Sequence, residues 1–406
     1  MGVPQSTQST ESPVEQRVGI PGQFSVFIHC WRTIATLAVF LGHATRPDIL
    51  FNVDFSLIGR ATIPTFLIVS GYFTTMSFAH GGRFLKKVAK RYFNMWVFFV
   101  PAAALVLAMD VYLISVDSVI LTRDKFDPDL SLARIGADVF DLLTFSGEYW
   151  RLHPKGQGVF SNEAFWTMDF IMGYSLLTAA LYLLSGWVRI AVSLLICAVV
   201  GPTVLLLAPL WFAGVLAYES HRRLLYHRGV TSLGKLRARL RHLGLRVDIR
   251  TIKRTGACLV GASVIAWVVF ETTSAGPELY AWSKSLAGYE WRQHLGMSKR
   301  YLWQWGYVPI LFFLFIGTRL MLDSPAPASL VRVVSTLSRY AFPVYAIHFT
   351  LLYLVAALIP NYQARYDSPD PYVMMSGAMA LSLLFSYSCY RFVKPVTDQW
   401  ARRLFG

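Results

Sequence analysis

The sequence predicts an all-α, polytopic membrane protein of about ten transmembrane helices with both termini cytoplasmic, and three observations carry that prediction. First, 55% of the 406 residues are hydrophobic and only 15% charged, against the roughly 25% charged of a soluble domain. Second, apolar windows of about the 20 residues needed to cross a bilayer recur near 24–44, 56–79, 92–115, 165–185, 187–206, 208–220, 255–272, 302–322, 337–360 and 371–393. Third, the connections alternate in charge. The 80–92 connection holds Arg83, Lys86, Lys87, Lys90 and Arg91 with no acid, and 221–254 holds eleven Lys or Arg against Asp248 alone. The 116–164 connection instead holds eight acids against five bases, so it belongs outside and the two basic connections inside.

In order along the chain, residues 1–22 are polar, rich in Gln, Ser, Thr and Pro, and read as a disordered cytoplasmic tail without the apolar core of a cleavable signal. Residues 23–400 form the transmembrane domain, with 116–164 as an extracytoplasmic loop and 221–254 as a basic cytoplasmic loop, and 401–406 close the chain as a short tail. Gly201-Pro202 and Pro209 interrupt the apolar run from 187 to 219 and mark a turn between two helices, the second of which is short, with one kinked helix as the alternative. The net charge of +15 follows from cytoplasmic loops and does not require nucleic acid. Cys30, Cys197, Cys258 and Cys389 lie in or beside apolar stretches without CxxC spacing, so neither a disulfide framework nor a zinc site is implied. No GxSxG, HExxH, EF-hand or P-loop pattern occurs, which removes the serine hydrolase, metalloprotease and nucleotide hydrolase readings that rest on them.

The stretch CWRTIATLAVFLGHATR, residues 30–46, carries Arg32 and His43 eleven positions apart. On a helix they face the same way to within roughly 20° and stand about 16 Å apart along the axis. Ionisable groups inside an apolar helix face protein or a water-filled cavity, so the pair marks a lined site or pathway. The other ionisable residues well inside apolar segments are Asp110, expected near the outer end of its helix and solvated there, Asp169 and His348. His29, Arg339, Arg391 and Lys394 sit near helix ends and are expected to snorkel to the interface.

Arginine, ten residues and histidine in the first membrane helix resemble the signature of the acyltransferase 3 family of integral membrane acyltransferases, which move acyl groups, commonly acetyl, to extracytoplasmic carbohydrate. PTFLIVSGYF at 64–73, RFLKKVAKR at 83–91, SRYAFPVYAIHFTLL at 338–352 and RFVKP at 391–395 are similar to later family motifs in the same order. The resemblance covers roughly residues 24–400. The chain departs from it where the family often has Trp-x-Leu-x-x-Glu: here Trp166 is followed by Asp169 and by Ile171 in the glutamate's place. Asp169 and Glu163 are candidate substitutes for that carboxylate. Lys394 stands where a glutamate often precedes the closing proline, and RYFNMW lacks a proline usual after the basic run.

The resemblance implies transfer from acyl-CoA, acetyl-CoA above all with succinyl as the alternative, to a polysaccharide such as an exopolysaccharide, an oligosaccharide or a lipid-linked glycan. No permanently bound cofactor or metal is implied, and the expected partners are the bilayer, the glycan or glycolipid acceptor and glycan-assembly proteins. The expected location is the inner membrane. Such chemistry needs a base for the attacking hydroxyl, and a histidine near neutrality suits it, so His43 and Arg32 are the expected catalytic pair. Arg83, Lys86, Lys87, Lys90 and Arg91 offer cations for the donor's phosphates, with the pantetheine arm running past Arg32 toward His43. For the 221–254 loop, topology alone accounts for the charge better than donor binding does. Ser70, Tyr345, Arg32 or backbone amides near Gly71 are candidate oxyanion donors. Tyr72, Trp150 and Trp166 are candidates for stacking on a sugar at the outer side, and Asp169 and His348 for supporting roles. Two other readings stay open: an acyltransferase of another superfamily with His348 as its catalytic histidine, and a transporter or flippase using Arg32 and His43 as a relay.

Overall fold

The computed structural model describes residues 22–45, 60–115, 131–150, 162–227, 230–231, 233–245, 247–357 and 370–405. The expected tail at 1–22 falls outside them apart from Gly22, as does most of the 116–164 connection. Among the described residues fourteen α-helices follow in chain order: α1 Gly22–Ala44, α2 Thr62–Phe78, α3 Phe84–Ser115, α4 Leu132–Thr144, α5 Trp166–Leu183, α6 Gly186–Leu205, α7 Ala208–Leu225, α8 Leu233–His242, α9 Ile249–Thr272, α10 Ala275–His294, α11 Tyr301–Met321, α12 Ala328–Ala357, α13 Asp370–Ser388 and α14 Lys394–Phe405. A two-residue antiparallel pair, Tyr226–His227 with Val230–Thr231, is the one sheet among the described residues. The protein is thus an all-α membrane protein. Six described segments are long and apolar enough to cross a membrane: Gly22–Ala44, Phe84–Tyr112, Gly186–Leu205, Ile249–Thr272, Ser298–Met321 and Tyr372–Leu404. The other four apolar windows fall on α2, α5, α7 and α12, outside that group.

Burial follows the membrane pattern. Large apolar side chains such as Ile190, Leu194, Ile265, Val268, Leu384 and Phe392 are exposed along α6, α9, α13 and the segment after it, while Asp110, Asp169, His221, Arg319 and His348 are buried. Lipid solvates the former, and the latter need protein around them. Asp110 is thus enclosed by the bundle, contrary to the expectation that water would solvate it. Close helix pairs rest on glycine. A Cβ on Gly214 would lie 2.0 Å from the Ile68 carbonyl and one on Gly71 2.3 Å from the Trp211 carbonyl, which lets α2 and α7 touch backbone to backbone. Gly256 and Gly317 do the same for α9 and α11.

Proline sets the remaining irregularities by removing an N–H from the helix ladder. Pro202, with Gly201 at φ 73°, breaks α6 as expected from the sequence, and α7 starts at Ala208. The Ala198 carbonyl, four residues before Pro202, is met instead by the Trp150 indole N–H at 2.5 Å. A Cβ at Gly201 would sit 2.9 Å from the same indole ring. Trp150 is therefore committed to closing this kink. Pro343 likewise frees the Arg339 carbonyl, and the Tyr390 hydroxyl donates to it at 2.9 Å. Tyr390 lies in a π-helical turn, Cys389–Val393, between α13 and α14.

The two ends of the bundle differ. At one end, called here the basic face, the start of α1 meets the ends of α7 and α11: Gln23 N–H bonds the Ser324 carbonyl, Phe24 packs on His221 and the buried Arg319 pairs with Asp323 at 3.0 Å. Asp323 also accepts the Leu233 N–H that opens α8. The other end, the histidine face, carries His43 at the end of α1, the start of α5 and the ion pair between Arg60 and Glu271.

Candidate active site

α2 ends in a turn through Gly81 and Gly82, both at positive φ (71° and 123°), a conformation glycine adopts without strain. This turn starts α3 beside the end of α2. Arg83, Lys86, Lys87, Lys90, Arg91 and Asn94 then recur at helical spacing, which puts them on one face. They line a cavity of about 520 Å³ with Thr74, Ser77, Phe78 and Gly82. Lys87 Nζ is tied to the Ser77 carbonyl at 3.0 Å and Arg91 Nη2 to Thr74 Oγ1 at 3.1 Å.

Thr74, Arg91 and Asn94 also line a second cavity of about 170 Å³, deeper in the bundle. Its other walls are Arg32, Phe66, Val69, Ser70, Phe73, Met95, Phe98, Ile171, Phe342 and Tyr390. Through these three shared residues the two cavities together make a basic lining from the α2–α3 turn to Arg32. It carries six cations, Arg32, Arg83, Lys86, Lys87, Lys90 and Arg91, and no carboxylate among its described lining residues. Such a field favours a polyanion.

Beyond Arg32 the wall is aromatic. Phe66 stacks on Tyr345 at 5.1 Å, and the Tyr345 hydroxyl bonds Thr167 Oγ1 at 2.5 Å. Behind that pair lies His348, its ring centroid 5.5 Å from Tyr345 and 5.3 Å from His43. His43 packs edge-on against Phe349 at 4.8 Å. His43 is half-buried and His348 fully enclosed. The backbone at Ala346 is held by Asn162 Nδ2 at 2.7 Å, which fixes this turn of α12 against the start of α5.

Residues 25–391 match the acyltransferase 3 family, described as an acyltransferase domain. The chain belongs to the acyltransferase 3 family. No curated protein and no solved structure matches it. Acyltransferase 3 membership makes it a membrane acyltransferase.

Several residues singled out from the sequence fall at the two basic cavities. Arg32, Ser70, Arg83, Lys86, Lys87, Lys90 and Arg91 line them, and Tyr345 and His348 join His43 beyond them. Ile171, in the place of the family's frequent glutamate, faces the Arg32 cavity, so that position would present its side chain to the arginine and not to His43. Other candidates lie elsewhere. Tyr72 is buried against Phe24 with its hydroxyl 3.2 Å from His221 Nδ1, at the basic face, because α2 runs back toward the start of α1. It is not placed to stack on an outer sugar. Gly71 serves the contact with Trp211, and its carbonyl accepts from Thr75 Oγ1 at 2.8 Å. Asp169 accepts the Glu148 N–H at 3.0 Å, since its place two residues after Thr167 turns it about 200° away from Tyr345. Trp166 packs on Phe170 at 5.1 Å. The side chain of Glu163, which opens a 3-10 turn, lies outside the described part of the chain. None of the described 221–254 residues lines either cavity.

Sequence reasoning passed over Phe66, Asn94 and Tyr390. Asn94 carried a signal, three residues after Arg91 on the basic face of α3. Phe66 and Tyr390 carried none, since only the fold brings them to Arg32.

Proposed function

We propose that this family member takes an acyl group, acetyl in the first instance, from cytoplasmic acyl-CoA and transfers it to a hydroxyl of an extracytoplasmic polysaccharide, oligosaccharide or lipid-linked glycan. The observation that carries the reading is the pair of adjoining basic cavities, the larger at Lys86 and Lys90 and the smaller at Arg32, whose described lining holds no carboxylate and beyond which lies the aromatic wall before His43. Its shape suits coenzyme A, with the phosphates among Arg83, Lys86, Lys87, Lys90 and Arg91 and the uncharged pantetheine beside Arg32. The basic face is then cytoplasmic, both termini lie inside and ten spans cross the inner membrane, in agreement with the loop charges.

The chemistry follows from the two ends of α1. The acceptor hydroxyl oxygen attacks the thioester carbonyl carbon while His43 takes its proton. Collapse of the tetrahedral intermediate breaks the C–S bond, and the imidazolium returns the proton to the departing coenzyme A sulfur. Ester and free thiol are the products.

Purified protein in nanodiscs with radiolabelled acetyl-CoA tests this. The reading expects acyl transfer or slow thioester hydrolysis that falls by about 10²–10⁴-fold in His43→Ala. Activity kept in His43→Ala but lost in His348→Ala would move catalysis to His348. No donor binding or turnover, with substrate flux across liposomes, would make the protein a transporter.

A further inference from the structure

His348 Nδ1 lies 2.7 Å from the Tyr345 carbonyl oxygen. A carbonyl only accepts, so Nδ1 carries the proton and, in the neutral ring, Nε2 presents a lone pair. That Nε2 is buried without a hydrogen-bond partner among the described residues. Buried acceptors are rarely left so. The rings around His348 are Phe40 at 6.2 Å, His43 at 5.3 Å, Tyr345 at 5.5 Å and Phe349 at 6.3 Å. The phenylalanines have nothing to donate and the Tyr345 hydroxyl is engaged with Thr167. His43 is the neighbour whose ring carries an N–H; the two rings are not hydrogen-bonded as they stand, but at a centroid separation of 5.3 Å a rotation that turns their nitrogens toward each other brings these about 3 Å apart, a hydrogen-bond distance.

We infer that His348 is the positioning partner of His43: its Nε2 accepts the N–H of the His43 ring, so that the other His43 nitrogen keeps its lone pair for the acceptor hydroxyl. The inference rests on His43 being the general base. A buried group fixing tautomer and ring orientation is what a carboxylate does for a catalytic histidine elsewhere, and here the position of the family's frequent glutamate holds Ile171, facing Arg32. During turnover His43 becomes doubly protonated, and its second N–H stays hydrogen-bonded to His348 while the first returns to the leaving sulfur. The Tyr345 carbonyl completes the chain by holding the His348 tautomer.

Two conservative variants separate positioning from packing. His348→Asn keeps a donor for the Tyr345 carbonyl but loses the acceptor at the Nε2 position. His348→Gln keeps an amide oxygen able to reach that position. With the full-length protein in nanodiscs and acetyl-CoA hydrolysis as the probe, kcat in His348→Asn should fall by about tenfold or more with little change in KM, and His348→Gln should recover most of it. Nitrogen-15 histidine spectra should show a hydrogen-bonded Nε2 on His348, and the His43 tautomer should become mixed in His348→Asn. Equal activity in all three proteins, or equal losses in both variants alongside equal losses of melting temperature, would overturn the inference. So would a wild-type spectrum with His348 Nε2 free of a hydrogen bond. Absence of acetyl-CoA turnover in the wild type would instead count against the proposed function, and the spectra would still decide the histidine pair.

Discussion

Pro343 has no N–H to give to the Arg339 carbonyl, and the Tyr390 hydroxyl supplies the missing bond from more than forty residues away. The same tyrosine lines the Arg32 cavity, so a backbone defect and a cavity wall are settled by one side chain. Tyr390→Phe should cost about 0.5–1.5 kcal/mol, the net worth of one intramolecular hydrogen bond. The cost should shrink in a Pro343→Ala background, where the substitution restores the backbone N–H. Unfolding of the four proteins in detergent as a double-mutant cycle checks this. Arg32 makes a different contribution. If it holds the donor, Arg32→Gln should raise KM for acetyl-CoA by roughly 10–100-fold, as expected for one charge-assisted contact, and steady-state kinetics measure it. A triple change, Lys86→Gln with Lys87→Gln and Lys90→Gln, should weaken donor binding further and flatten its dependence on salt, because those cations stand nearer water than Arg32. Binding isotherms at two ionic strengths read that directly.

Between helices, contact is decided by glycine. A Cβ on Gly317 would fall 2.7 Å from the Gly256 carbonyl, whereas one on Gly261 meets nothing within 4 Å. Gly317→Leu should therefore force α9 and α11 apart, and Gly261→Leu should be nearly neutral. The expected difference is at least about 1–3 kcal/mol, the range for overpacking a filled interface, visible as separate melting temperatures. At this scale the sequence was informative wherever a property repeats along one helix. Arg32 and His43 could be paired because one period of α1 relates them, and the basic face of α3 could be read from its spacing. Asp169 and Tyr72 were misplaced because the facing of α5 and the direction of α2 against α1 depend on neighbours that no local pattern specifies. The same holds for Trp150, whose indole is spoken for by Pro202.

At the level of the whole molecule, polarity is divided between two faces. The larger basic cavity lies beside the α2–α3 turn and the smaller one at Arg32, while the histidine pair lies past the Phe66–Tyr345 stack. The family, the helical class and the membrane location were legible in composition, windows and motif order. The meeting of Arg32 with Phe66 and Tyr390 around one cavity was not, because it depends on which helices pack together. Under the proposed function acyl groups enter by the basic face and leave by the histidine face. Proteoliposomes with the basic face outward, given labelled acetyl-CoA outside only, test that claim most directly. The account predicts labelled acetate, or labelled glycan where acceptor is enclosed, inside the vesicles, and its loss in His43→Ala. Label released solely on the outside, or release unaffected by His43→Ala, would contradict it.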